Sequence, residues 1–293
     1  MMIKDNAPAG LSRRQFGLMA GAAMLVTACA GRGAVSAASG TLGNRVGIQL
    51  YTIRGTFERD PLAALQAVAA AGYSEVEFGG GGFYERDPAE LKGFLQETGL
   101  NGASMHVGLA DLEASVDRAI SFATTLGVDH VVLPAVPPAR RTSIEDWKQV
   151  ARICDEAAKR FADAGLAFAY HNHAFEFEAL SGDTNGYDIF TGETSSDLVK
   201  LELDFFWALT AKQDPLALID RFAGRISLCH VKDMDAEGNM CLPGEGIVDF
   251  AAYFGQAEKA GLKHFFVEFD RLVEADVPRM RASADHVRAI PVS

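Results

Sequence analysis

Four stretches of the chain end in side chains able to hold a metal ion or move a proton. Residues 166–170 (LAFAY) run into His171-Asn172-His173. Residues 199–203 (VKLEL) end in Asp204, residues 226–229 (ISLC) in His230-Val231-Lys232-Asp233, and residues 264–267 (HFFV) in Glu268-Phe269-Asp270. A short apolar run with an imidazole or carboxylate at its C-terminal end reads as a buried strand carrying a polar group to one edge. One such strand is usually explained by a hydrogen-bonded structural residue. Four that deliver ligand-type groups at the same end point to a metal site.

The elements that must position these groups alternate. Strands are expected at 46–51, 75–78, 102–105, 130–133, 168–171, 199–203, 226–231 and 265–269. Between them lie helical segments at 61–71, 88–98, 111–126, 144–164, 187–191, 215–222 and 250–260, and 277–288 closes the chain. Asp60, Asp87 and Ser143 stand where N-caps belong, and Gly72, Gly99, Gly127, Gly165 and Gly261 where helices stop. Eight strand–helix units predict a parallel sheet, and eight in about 250 residues predict an α/β fold of the (β/α)8 TIM-barrel type. The turn after the first strand, Thr52-Ile53-Arg54-Gly55, is no dinucleotide fingerprint, which argues against an open doubly wound sheet. In a barrel the strand ends form one pocket. That pocket would collect Gln49, Tyr51, Glu77, His106, Pro134, His171, His173, Asp204, His230, Lys232 and Glu268.

The first 40 of the 293 residues read differently. Ser12-Arg13-Arg14-Gln15-Phe16 precedes an uncharged stretch at 17–30, the form of a twin-arginine export signal. That stretch is shorter than the about 20 residues a membrane span needs. Val26-Thr27-Ala28-Cys29 fits a lipoprotein cleavage box, with Cys29 as the lipidated residue; cleavage after Val35-Ser36-Ala37 is the alternative. Residues 32–41 read as a flexible tether. The expected organisation is therefore a signal and tether at 1–40 and one catalytic barrel domain at 41–293, exported to the periplasm and possible to anchor through Cys29. Four basic residues and one acid in residues 1–40 leave a net charge of −15 on the remainder of a chain whose total is −12. So acidic a body repels phosphate backbones and excludes nucleic acid as a partner. Cys154, Cys229 and Cys241 are an odd, scattered set and form no disulfide framework. The oligomeric state is not legible.

The stretches YHNHAFEF (170–177), LELDFFW (201–207), CHVKD (229–233) with PGEG (243–246), and VEFD (267–270) resemble the xylose isomerase-like TIM barrels, the sugar phosphate isomerase/epimerase superfamily. The resemblance covers about residue 45 to the end. It implies a divalent metal held by a Glu, an Asp, a His and a Glu from strands five to eight. Asp204, His230 and Glu268 match that set; His171 stands where the fifth-strand Glu is expected. Trp207 replaces a frequent His after the sixth-strand Asp. The implied site, with His171, Asp204, His230 and Glu268 as metal ligands, suits Mn²⁺, Zn²⁺, Co²⁺ or Fe²⁺.

Such an ion polarises adjacent sugar oxygens and acidifies the C–H beside a carbonyl. His106, His173, Glu176 and Glu268 are candidates for moving the proton, and Lys232 for holding an oxyanion. Gln49, Glu77, Glu176 and Trp207 are candidate substrate contacts, Trp207 as a stacking platform. His171 and His173 share a strand face, with His173 one layer further out, above the metal. Reprotonation gives isomerisation or epimerisation; loss of a β-leaving group gives a lyase. Export, and the lack of basic residues beyond Lys232, favour a neutral sugar, keto-sugar or glycoside over a phosphorylated one. The reading is a metal-dependent sugar isomerase or epimerase. The alternatives are a lyase or hydrolase of 3-keto-glycosides and a non-catalytic sugar-binding lipoprotein.

The export reading has a direct check by cell fractionation. Arg13→Lys with Arg14→Lys is expected to leave the precursor in the cytoplasm. Cys29→Ser is expected to release mature protein from the membrane fraction. Unchanged membrane attachment in the Cys29 variant removes lipidation and leaves export standing.

Overall fold

The computed structural model describes residues 40–43 and 45–293. The export signal, Cys29 and most of the tether lie outside the described residues. Eight parallel strands close into a barrel: β1 (Val46–Gln49), β2 (Glu75–Phe78), β3 (Asn101–His106), β4 (His130–Leu133), β5 (Ala167–His171), β6 (Val199–Asp204), β7 (Ile226–Val231) and β8 (His264–Val267). Each pairs with the next, and β8 pairs with β1 to complete the ring. The (β/α)8 barrel expected from the alternation is the fold. Helices cover its outside, and Gly40–Thr41 pairs with Pro291–Val292 as a small separate sheet.

Local chemistry explains where the elements depart from expectation. β1 stops at Gln49 because the Gln49 side chain accepts a hydrogen bond from Tyr51 N at 2.9 Å and starts a 3-10 turn, Leu50–Ile53. The helix expected over 111–126 is two helices, Leu109–Ala114 and Val116–Leu126. Ser115 between them is extended, and its hydroxyl accepts from Arg118 N. The helix expected over 250–260 likewise breaks at Gly255 and Gln256. After β6 the chain turns at once into a helix, Phe205–Thr210. Asp204 caps it through a 2.9 Å bond from Trp207 N to Oδ1. One oxygen of that carboxylate is thereby fixed, and the other is aimed inward.

The barrel interior is built in layers because alternate strand residues point inward. Its middle is apolar: Ala103, Val132, Ala169, Leu228 and Phe266 form a cluster separate from the main core outside the sheet. Phe266 fills most of that space, and Gly47 is what admits it. A Cβ at position 47 would lie 2.5 Å from Phe266 Cδ1. This plug divides the polar C-terminal end of the barrel from its N-terminal floor.

Candidate metal centre and pocket

Above the plug sits a first polar tier. Glu77 from β2 and Glu202 from β6 are fully buried there, with Gln49, Ser104 and His106 around them. Glu77 Oε1 accepts from Gln49 Nε2 at 2.8 Å and lies 2.7 Å from His230 Nε2 and 3.0 Å from His106 Nε2. Ser104 donates to Glu77 Oε2. His106 Nε2 also meets Glu202 Oε2 at 3.2 Å. Burial works against charge on His106, but the Glu77 and Glu202 carboxylates win and lift it to about 9. Burial would raise Glu77, yet His106 and His230 hold it well below the usual range. This tier is a carboxylate pair with donors on both oxygens of Glu77 and on Glu202 Oε2, while Glu202 Oε1 is buried without a partner among the described residues.

A second tier lies one step nearer the mouth and is short of donors. His171 Nδ1 donates to Pro134 O at 2.9 Å, so its Nε2 carries the lone pair, 3.3 Å from Asp204 Oδ2. His230 gives its Nε2–H to Glu77, and its Nδ1 lies 2.7 Å from Glu268 Oε2 and 3.6 Å from Asp204 Oδ2. One donor atom from each of these four residues lies within 4.8 Å of the others, and all four residues are buried. His230 Nδ1 and Glu268 Oε2 are buried without a hydrogen bond of acceptable geometry among the described residues. Two imidazole lone pairs and two carboxylate oxygens facing one point fit a divalent cation, with Glu77 as the carboxylate behind a ligating histidine. In the metal-free pocket burial disfavours charge on His230, but Glu202 and Glu268 draw it well above its ordinary value. A bound ion would take the place of that proton.

Lys232 completes the tier. It is buried, with Nζ 2.8 Å from Glu268 Oε2, 3.1 Å from Asp270 Oδ1 and 3.2 Å from Asp204 Oδ2. Burial opposes its charge, but Asp204, Glu268 and Asp270 together raise its pKa. For Asp204 and Glu268, burial alone would favour protonation; Lys232 and the neighbouring imidazoles overcome it and keep both low.

Over this tier opens a cavity of about 320 Å³. His106, His171, His173, Lys232 and Glu268 line its polar side, Tyr51 and Phe83 its aromatic side. The volume suits a small ligand. Arg54 stacks on Tyr51 at 4.1 Å and donates to the carbonyls of Tyr51 and Asp270. The glycine run 79–82 passes close over this rim. Gly80 has φ +68, and a Cβ there would lie 2.6 Å from the Tyr51 ring. His173 stands beside His171, ring centroids 4.8 Å apart, and is not among the four converging residues. Its Nδ1 is buried with no partner among the described residues. Burial first, then the neighbouring His171 and Lys232, lower it to about 3, so its ring is neutral.

Four expected substrate contacts need correction. Gln49 and Glu77 are fully buried in the lower tier, bonded to each other, and do not reach the cavity wall. Glu176 lies off the pocket altogether. It accepts from Tyr170 OH at 2.7 Å and from His173 N at 2.9 Å, which pins the loop after β5. Trp207 stands behind His173, ring centroids 5.4 Å apart, and is absent from the cavity wall. The expectations for His106, Lys232 and Glu268 differ: all three face the cavity. Sequence reasoning missed Glu202, Ser104 and Phe83. Glu202 was signalled by period two, two residues before Asp204 and so on the same strand face.

A family described as "Xylose isomerase-like TIM barrel" matches residues 65–290. The rhizopine catabolism protein MocC of Rhizobium meliloti is 28% identical over 240 residues, covering 69% of this chain and 72% of its own. An inosose dehydratase of Geobacillus kaustophilus is 24% identical over 232 residues, covering 66% and 74%. A solved sugar phosphate isomerase/epimerase of Parabacteroides distasonis superposes with a TM-score of 0.71 at 26% identity, covering 87% of this chain and 96% of that one.

Glu176 supplies a stability test of the loop that carries His173. Burial lifts its pKa from 4.5 to about 7, against the lowering effect of its bonds from Tyr170 and His173. Between those values the folded protein holds a proton that the unfolded chain releases, so stability falls as pH rises through the window. Glu176→Gln is expected to stabilise the fold above pH 7 by up to about 3 kcal/mol, at ~1.4 kcal/mol per pKa unit. The gain should vanish below about pH 4.5. Urea unfolding at several pH values checks this; a difference independent of pH contradicts it.

Proposed function

The chain belongs to the xylose isomerase-like TIM barrel family, and from that premise we propose a divalent-metal-dependent enzyme. It removes a proton beside the carbonyl of a neutral keto-sugar or cyclic keto-polyol and then expels a β-oxygen substituent. The observation that carries this reading is the second tier: four lone-pair donors, two of them orphaned, at the base of a cavity of about 320 Å³. His171, Asp204, His230 and Glu268 would hold the ion. When bound, it supplies a Lewis acid for adjacent substrate oxygens and so acidifies the neighbouring C–H.

The chain's own groups divide the remaining work. His173 is neutral, unpartnered at Nδ1 and on the cavity wall, which suits it to accept the proton. Burial and Lys232 keep its basicity low, and negative charge growing on the substrate oxygen would raise it as the proton moves. Lys232, held by three carboxylates, donates to that oxyanion. The proton taken by His173 and the hydroxide lost from the β-carbon leave together as water. Tyr51 and Phe83 offer apolar faces to the sugar ring. Lys232, the one lysine or arginine on the cavity wall among the described residues, is already paired, which supports a neutral substrate.

Elimination is favoured over two-sided proton transfer because His171 replaces the fifth-strand carboxylate. The relatives named inosose dehydratase agree with it. Isomerisation is the second reading, favoured by the 26%-identical isomerase/epimerase structure. The exported location and possible lipid anchor expected from residues 12–29 remain part of the proposal.

The test is incubation of metal-loaded protein with inosose and with 3-keto-glycosides in heavy water, followed by mass spectrometry. A product lighter by the expelled group is expected, with the α-hydrogen lost and deuterium at the former β-carbon once the enol tautomerises. His173→Ala should keep its metal and lose turnover by about a hundredfold or more; His171→Ala should lose both. Deuterium exchange with an isomer as product selects the second reading. A loaded protein that neither exchanges nor converts any keto substrate contradicts the enzyme reading.

A further inference from the structure

At the opposite end of the barrel, four ionisable side chains meet on the floor. Glu75 opens β2, His130 opens β4, His264 opens β8, and Asp129 precedes His130. In a closed ring of eight, β4 and β8 stand across from each other. Their first residues nonetheless meet: the His130 and His264 ring centroids are 5.1 Å apart, at 75°. His264 Nδ1 faces both oxygens of Glu75, at 3.2 and 3.1 Å, so Nδ1 carries the proton and Nε2 the lone pair. That Nε2 is 3.9 Å from Asp129 Oδ1, and His130 Nδ1 is 2.7 Å from the same oxygen. His130 is 3% exposed, and Nδ1 is the ring nitrogen that it turns toward Asp129.

We propose that Asp129, His130 and His264 hold a second metal ion, of the zinc class, at the floor of the barrel, with Glu75 orienting His264. One donor atom from each of the three lies within 4.8 Å of the others. Zinc bonded to nitrogen and oxygen at about 2.0–2.1 Å spaces neighbouring ligand atoms by about 3.3 Å. The observed spacings of 2.7 and 3.9 Å bracket that value. The adjustment falls to Asp129, whose side chain is 66% exposed and free to move. Two imidazoles and one carboxylate are borderline ligands that prefer zinc and its neighbours to magnesium or calcium. Glu75 behind His264 is the carboxylate–histidine pairing that fixes a ligand's orientation. A solvent molecule would fill the fourth position.

This site is independent of the pocket. The plug of Ala103, Val132, Ala169, Leu228 and Phe266 lies between them, and the two share no residue. An ion here would tie opposite walls of the barrel together. Binding only the folded chain, it would raise the thermal midpoint in proportion to the logarithm of free zinc.

The experiment measures bound zinc by mass spectrometry after dialysis at micromolar free zinc. The chain carrying Asp204→Ala and Glu268→Ala, which empties the upper site, is expected to retain one equivalent and a zinc-dependent rise in melting temperature. Adding His264→Ala should abolish both. In the otherwise unaltered chain the exposed substitution Asp129→Asn should lower bound zinc by one equivalent. Unchanged zinc content in Asp129→Asn overturns the proposal. So does absence of zinc from a folded upper-site variant. Loss of metal chemistry at the pocket alone bears on the proposed function and leaves the floor site standing.

Discussion

Uncompensated negative charge inside a closed barrel is the constraint on which the rest of this structure depends. Glu77, Glu202, Asp204 and Glu268 are at most 5% exposed, at the ends of three strands. Buried carboxylates persist only when paired or bound to metal. The lower tier meets most of that requirement with Gln49, Ser104, His106 and His230, leaving Glu202 Oε1 without a partner among the described residues. The upper tier has Lys232, and even so leaves His230 Nδ1 and Glu268 Oε2 without proper partners. His230 links the two, giving its Nε2–H down to Glu77 and turning its Nδ1 up to Glu268. Its tautomer, and hence the upper site's capacity for a cation, is decided by a carboxylate that never touches the cavity.

Packing serves the same end. The apolar plug holds the strands at a spacing that brings the tiers into register, and Gly47 exists to admit Phe266 into it. On the loops, Asp204 uses one oxygen to start the helix Phe205–Thr210 and keeps the other for the site. Glu176 pins the backbone of His173 from outside the pocket. The site is therefore set by secondary-structure termini, which are more rigid than free loops.

The barrel was legible in the sequence because strand and helix periodicities alternate with clear caps and stops. The upper cluster was suggested because each of its members ends a run of apolar residues, which makes it conspicuous. Glu202 was overlooked because it sits inside such a run rather than at its end, although its alternation with Leu201 and Leu203 places it on the face of Asp204. Glu176 and Trp207 misled for the opposite reason. Their types suit sugar binding, but sequence does not reveal that the loop after β5 folds Glu176 back onto Tyr170, or that the helix after Asp204 turns Trp207 behind His173. Gln49 and Glu77 were assigned to the correct end of the barrel but one layer too high. Depth along a strand end is set by the plug beneath, which no local pattern encodes. The floor cluster escaped notice because its members open strands, where a barrel offers no pocket by default.

The central claim is that the upper tier, and not the carboxylate pair below it, is built for a cation. Anomalous X-ray scattering at the metal absorption edge, on crystals of reconstituted protein, tests it most directly. The account predicts a peak bounded by His171 Nε2, Asp204 Oδ2, His230 Nδ1 and Glu268 Oε2, at about 2.0–2.2 Å from each. A peak enclosed instead by Glu77, His106, Glu202 and His230 Nε2, with none in the upper tier, would contradict it.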